Sequence, residues 1–390
     1  MPWRWALLIS VGFLSVAITA ALWSGALPLE SVLLRVVAID QNLTSGQMQF
    51  DLNQLRRAVE LYVIVFSLFA SFIPWLFVIS GQTWSSVSER LFPIAMVLSC
   101  SSALFLLFWR LGYEGPWYPI EALMKHPGTV PIFGHRLLLV WLADLCQKLV
   151  PSLSYLQCYV LSQMLPIVSA VFMVGRWSEL FIGRSLRWTG QVLLVAIMGP
   201  TLTYFTFYDF SIVFFYALSL YLLYRRHYIW FALAISVATL NHENALILIV
   251  IAGLETFRRS FRIGAAVTFG SLLLHLAVRF VMERAFPSGR IVDWHVWTNL
   301  VFPLIRPRLV IVGALALVFW WIVAALCWPA VEPFLRRAAV VFPFLLATDF
   351  VYGQINEARV FDASIPVLIA FILSFAKSKL IDANPAAATT

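Results

Sequence analysis

The sequence predicts an all-α, polytopic integral membrane protein, and three observations lead there. Of 390 residues, 62% are hydrophobic and only 12% charged, with a mean hydropathy of +0.88, a balance that excludes a soluble protein. Apolar runs of roughly 15–22 residues, near the span of a bilayer core, recur from Trp3 to Lys377 with only short polar breaks. The load of 16 Trp, 12 Tyr and 32 Phe suits helices whose ends are anchored by rings at the headgroups.

In chain order, apolar stretches fall at 5–27, 58–80, 92–109, 153–175, 189–207, 210–224, 229–240, 245–254, 263–280, 309–328, 338–352 and 360–376, which gives about 12 membrane segments. They group as an N-terminal two-helix part with an outer loop at 28–57 (residues 1–91), a membrane core (92–376) and a tail (377–390). The start, Met1-Pro-Trp-Arg4, has the charge order of a signal peptide, but the apolar run continues through Leu27 without a cleavage site and reads as a retained first helix. Between Tyr228 and Glu255 the only polar interruption is Asn241-His-Glu-Asn244, which predicts two short helices meeting in a buried or water-facing turn. Residues His135 to Val150 are apolar enough to span but carry Arg136, Asp144, Gln147 and Lys148. They read as an amphipathic helix at the outer interface, its Arg and Lys reaching to the headgroups.

The net charge, 27 − 19 = +8, reads as membrane orientation and anionic-lipid contact; no basic, aromatic-interleaved segment exists to carry a nucleic acid. Basic clusters at Arg225-Arg226, Arg258-Arg259 with Arg262, Arg336-Arg337 and Lys377 with Lys379 fall on one side, predicted to be cytoplasmic with both termini. Most of the nineteen carboxylates fall on the other side. Cys100, Cys146, Cys158 and Cys327 are far apart in sequence, without CxxC spacing, and imply neither a zinc site nor a disulfide framework. His-x-x-His and clustered acidic spacings are absent, so no metal is called for, and no Walker A, GxGxxG or GxSxG motif supports nucleotide or nucleophile-elbow chemistry.

Under this topology unusual polar residues converge on the outer face: Glu114 in Gly112-Tyr-Glu114-Gly-Pro-Trp-Tyr118, Asp209, the His242-Glu243 turn, Arg284, Arg290, and Glu357 with Arg359. Ionisable groups at membrane depth are costly and persist where they pair, line a wet cavity or act on a substrate. Each also has a structural reading: Glu114 capping a re-entrant loop, Asp209 capping the helix after it, Glu357 pairing with Arg359.

The order of these features resembles bacterial membrane proteins of the glycosyltransferase C class, the polyprenyl-phosphate-sugar-dependent transferases. The resemblance covers residues 92–376 and rests on five matches. They are the acidic aromatic loop at Glu114, the run His135-Arg136-Leu-Leu, a helix from Asp209 to Arg225-Arg226, the motif Asn241-His242-Glu243-Asn244, and the Glu-x-Arg of Glu357 and Arg359 before a Pro366-containing helix. This chain departs from the class in lacking a second acid beside Glu114 and in having His242 where Arg or Lys is usual.

The resemblance implies an enzyme without a cofactor, in the bacterial inner membrane, that moves a sugar from a polyprenyl-phosphate donor to an acceptor at the outer face. It implies Glu114 as general base, with Asp40 as rival because it follows the first helix; Asp40 also reads as an exposed turn residue. Asp209, His242, Glu243, Arg284, Arg290, Glu357 and Arg359 become substrate-binding candidates, with Arg359 on the donor phosphate. The implied partners are a polyprenyl-phosphate sugar and membrane lipids. Two other classes remain open: a transporter or flippase of lipid-linked sugars, and a non-catalytic subunit with a membrane-protein partner.

Overall fold

The computed structural model describes residues 93–94, 96–105, 108, 136–153, 155–202, 208–285, 296–305, 322–352 and 358–378. Asp40, Glu114, Arg290 and Glu357 lie outside them, as does the side chain of Arg359, which falls in the 3₁₀ turn Ala358–Ser364. Every regular element among the described residues is helical. These residues divide between two compact units; 195–200 belong to the first with Met96, while Val97–Leu194 and the residues from Thr201 onward form the second. All contacts below are within the second.

Helix α1 is Met96–Phe105, α2 Leu138–Leu149, α3 Tyr155–Ser162 and α4 Met164–Ile182. Pro166 is tolerated because it stands in the first turn of α4, where backbone N–H groups have no partner in the helix. The helix runs seven residues past the expected end at 175. Arg176 and Arg187 both pair with Glu179, at 2.9 and 3.6 Å, so the charges that suggested a stop compensate one another. It ends at Gly183, whose φ of 90° suits a residue without Cβ and whose N–H donates to Glu179 O at 3.1 Å. The buried stripe Ile167, Ala170, Val174, Trp177 and Phe181 follows the helical period, and Trp177 Nε1 donates to Pro366 O at 2.8 Å.

Helix α5, Trp188–Met198, comes so close to α4 that a Cβ at Gly190 would overlap Ser178 Oγ and one at Gly175 would meet the Gln191 amide. Helix α6, Asp209–Tyr224, is apolar on all sides and is accordingly buried all round, with Phe210, Val213, Tyr216, Ala217 and Leu220 inside. It packs against α4, against α7 (Tyr228–Asn241), and against the turn Ala358–Ser364 that leads into α13. Helix α8 is Ala245–Thr256, so the chain breaks at residues 242–244 as the polar interruption predicts.

Helix α9, Phe261–Ala285, has 25 residues and a length of about 37 Å, more than a bilayer core requires. Gly264 lets its first turn close onto Phe257, where a Cβ would come within 2.6 Å of the ring. Its outward stripe is Phe269, Leu273, Leu276 and Phe280, while Ser271 and His275 face inward. Further helices are α10 (Val296–Ile305), α11 (Pro333–Ala338), α12 (Val341–Tyr352) and the buried α13 (Ile365–Ala376), which packs on α4, and residues 322–327 are helical as well.

Two stretches among the described residues are long and apolar enough to cross a membrane, Gln157–Ile182 and Phe261–Ala285. Of their most apolar windows 65% and 22% respectively is buried, so the second turns most of its apolar surface outward.

Candidate functional site

The expected turn at Asn241–Asn244 is the nucleus of a polar cluster. His242 adopts extended backbone, which ends the α7 ladder, and local bonds replace what the ladder loses. The backbone N–H of Asn244 donates to His242 Nδ1 at 3.1 Å, Tyr216 OH donates to Asn244 O at 2.7 Å, and Asn241 Nδ2 donates to Tyr208 O at 3.3 Å. With Nδ1 accepting, the neutral His242 ring carries its proton on Nε2.

The partner of Glu243 is Arg136, which lies two residues before α2. Nη2 of the guanidinium donates to Oε1 and Nε donates to Oε2 at 3.3 Å, a bidentate arrangement. Nη1 donates to the Tyr208 hydroxyl, and Cζ stands 4.4 Å from the Tyr208 ring centroid; His242 packs on the same ring at 4.9 Å. Arg136 therefore does not reach toward headgroups as expected. Its side chain is only 10% exposed, because the carboxylate and the ring hold it inward. Lys148 does keep its head in solvent, beside Asp144 at 2.7 Å.

His242 and Glu243 form no hydrogen bond with each other: Nδ1 and Oε2 are 3.9 Å apart, the Asn244 amide donates to Nδ1, and Arg136 takes the carboxylate. Burial raises the Glu243 pKa, but Arg136 beside it and Arg279 from α9 outweigh it and hold the carboxyl well below the usual carboxylate range. The Glu243 side chain is nonetheless 46% exposed, so an ionised carboxylate is presented at an opening rather than sealed in.

Asp209 is buried at the first position of α6, next to Tyr208 and within electrostatic reach of Tyr159 on α3. It is not the helix cap, which falls on Tyr208 without a side-chain bond. Arg284 is not brought to the cluster: it lies over Phe280 of its own helix, 5.0 Å from the ring centroid. Arg279, a little over one turn earlier, acts on Glu243 instead. On the inner face of the same helix, His275 Nδ1 is 2.8 Å from Thr239 Oγ1, tying α9 to α7 just before the break.

Sequence reasoning thus found the turn and its carboxylate but missed Arg136, Tyr208 and Arg279 as members of the site. The usable signals were an arginine directly before an apolar helix, an aromatic directly before Asp209, and the His275–Arg279 spacing of one helical turn. The polar cluster can hold a ligand oxygen or hydroxyl against an ionised carboxylate. Among the described residues no three His, Cys, Asp or Glu side chains are grouped so as to hold a metal ion. No known family model, curated protein or solved structure matches the chain.

Proposed function

We propose that the protein is a glycosyltransferase of the bacterial inner membrane that moves a sugar from a polyprenyl-phosphate donor to an acceptor at the outer face. One observation carries this reading. Arg136 of the Arg-Leu-Leu run and Glu243 of the helix break come from two separate motifs, 107 residues apart, and meet in one bidentate pair. The outward apolar stripe and inward Ser271 and His275 of α9 support the membrane setting, since water would favour the opposite arrangement. Further spans, to about twelve, with both termini cytoplasmic, belong to the same proposal.

The reaction needs a base to take the acceptor's hydroxyl proton as its oxygen bonds to the anomeric carbon, while the bond from that carbon to the phosphate oxygen breaks and the lipid phosphate leaves with the electron pair. Glu243 is a poor base, because its depressed pKa favours the carboxylate. Its suitable role is to accept hydrogen bonds from sugar hydroxyls while orienting Arg136. The base then falls to Glu114 or Asp40, and Arg359 with Arg290 supplies positive charge to the departing phosphate.

The test is sugar transfer from radiolabelled polyprenyl-phosphate sugars by the full-length protein in lipid, with Glu114→Gln and Asp40→Asn alongside. Loss of turnover in one variant with donor binding retained is the expected result; full turnover in both would end this assignment. That Arg136, a side chain of the chain itself, already holds Glu243 in a bidentate pair favours a second reading, a non-catalytic subunit that keeps the scaffold. That reading expects no transfer with any donor and a membrane protein that co-purifies.

A further inference from the structure

The opposite end of α8 carries a second charged region that the transferase reading does not use. Glu255 is 2% exposed and takes two guanidinium groups: Arg259 Nε donates to Oε1 at 2.7 Å and Arg337 Nε donates to Oε2 at 2.7 Å, each with a second N–H on the same oxygen. Arg337 belongs to α11, which also brings Glu332 to Tyr224 OH at 3.2 Å at the end of α6. Phe334 packs edge-on against Tyr224 at 5.2 Å. These contacts fix the α6–α7 turn and the α8–α9 turn at one end of the bundle.

Arg225 and Arg226 project from the first turn, Arg258 from the second, and Arg262 from the start of α9. All four are exposed, and none has an ion pair among the described residues. Among the described residues at this end, Glu255 is shared by Arg259 and Arg337, and Glu332, which accepts from Tyr224 OH, forms no ion pair with any of the four, so positive charge is in excess. Arg226 has a φ of 62°, the left-handed region where glycine would be unstrained, yet a cationic side chain stands there. Around these arginines the surface is apolar: Ile229, Trp230 and Phe261 are 78%, 64% and 76% exposed.

We propose that this end of the bundle is a binding surface for the headgroups of anionic phospholipids. A soluble polyanion would satisfy the guanidinium groups but leave Ile229, Trp230 and Phe261 in water. A lipid surface meets both needs, phosphodiester oxygens for the arginine forks and the acyl boundary for the rings. Glu255 anchors the frame by drawing Arg259 and Arg337 inward, and the other four remain for the lipid. The surface requires the chain to lie in a bilayer and is independent of sugar transfer, so either can fail alone.

The test uses full-length protein in detergent, titrated with short-chain phosphatidylglycerol, with phosphatidylcholine of the same chain length, with inorganic phosphate and with polyglutamate, and read by native mass spectrometry. Phosphatidylglycerol is expected to bind about tenfold tighter than phosphatidylcholine. A variant combining Arg225→Gln, Arg226→Gln, Arg258→Gln and Arg262→Gln should lose that preference. The matching set of Arg→Lys changes keeps the charge, guards against a folding defect, and should retain only part of the preference. Equal affinity for the two lipids, or a preference that survives the four glutamines, overturns the proposal. Displacement of phosphatidylglycerol by inorganic phosphate or by polyglutamate at similar concentrations overturns it too, pointing to a free-anion or acidic-protein site.

Discussion

Glu243 and Glu255 stand at opposite ends of α8, about 18 Å apart along its axis, and each binds arginine, yet the two regions are built for different ends. Glu255 is 2% exposed and receives two guanidinium groups, which fill both oxygens and join α8 to α11. Glu243 is 46% exposed and receives one guanidinium, which is itself shared with Tyr208. A buried carboxylate with both oxygens occupied has no capacity left for a ligand and serves as a fastener. A half-open carboxylate held ionised by its neighbours retains acceptor sites, which makes the Glu243 end the place to look for substrate and the Glu255 end a frame.

Glu255→Gln should produce the largest loss. It keeps the shape but leaves Arg259 and Arg337, 34% and 22% exposed, facing each other without counter-charge, and because solvent screens them in part the cost falls below that of a fully buried charge, to about 2 kcal/mol. Thermal unfolding of the purified protein should show a clearly lower midpoint. An unchanged midpoint would mean that the two ends do not differ in the way described.

Substitutions at Glu243 should reverse the balance, with a smaller cost in stability and a larger one in ligand binding. Because its folded pKa is depressed, the stabilisation from its charge is present above the unfolded value, 4.5, and is lost as pH falls through the lower folded value. The wild-type midpoint should therefore exceed that of Glu243→Gln at pH 7, and the gap should narrow only once pH drops below about 4.5. A gap that closes between pH 6 and 7 would contradict the depressed pKa. Arg136→Lys keeps the charge but gives up the bidentate fork and the flat contact on Tyr208, so under the proposed transferase reading it should weaken binding of a polyprenyl phosphate sugar while changing the midpoint less than Glu255→Gln.

The elements of the fold were largely legible. Helices expected at 210–224, 229–240 and 245–254 occupy Asp209–Tyr224, Tyr228–Asn241 and Ala245–Thr256, because all-apolar segments between polar turns leave the backbone little alternative. The ends of α4 and α9 were not: Arg176 and Glu179 resemble stop signals in one dimension and compensate one another in three, and α9 continues past 280 through Glu283 and Arg284, whose guanidinium lies over the Phe280 ring. The same holds for the site. The helix break announces itself in four consecutive polar residues, whereas the choice of Arg136 as the partner of Glu243 depends on how α2 approaches the α7–α8 turn, which no local pattern encodes. Cys146 and Cys158, distant by pattern, likewise come into side-chain contact between α2 and α3.

The smallest effect belongs to a third pair of the same chemistry, Asp144 and Lys148 on α2, which supplies the baseline for the other two. They are 2.7 Å apart with i,i+4 spacing, but their side chains are 45% and 72% exposed, so any surrounding water or headgroup competes for both charges. The acid stands N-terminal to the base, the favourable order on a helix, and Lys148 in the last turn also meets the negative end of the dipole. Against these gains stands the entropy of fixing a long lysine. Lys148→Ala should leave the unfolding midpoint and ligand binding unchanged within error. If it lowered the midpoint as far as Glu255→Gln does, proximity alone would govern the strength of ion pairs here, and the contrast drawn between the two ends of α8 from burial and from the number of partners would lose its basis.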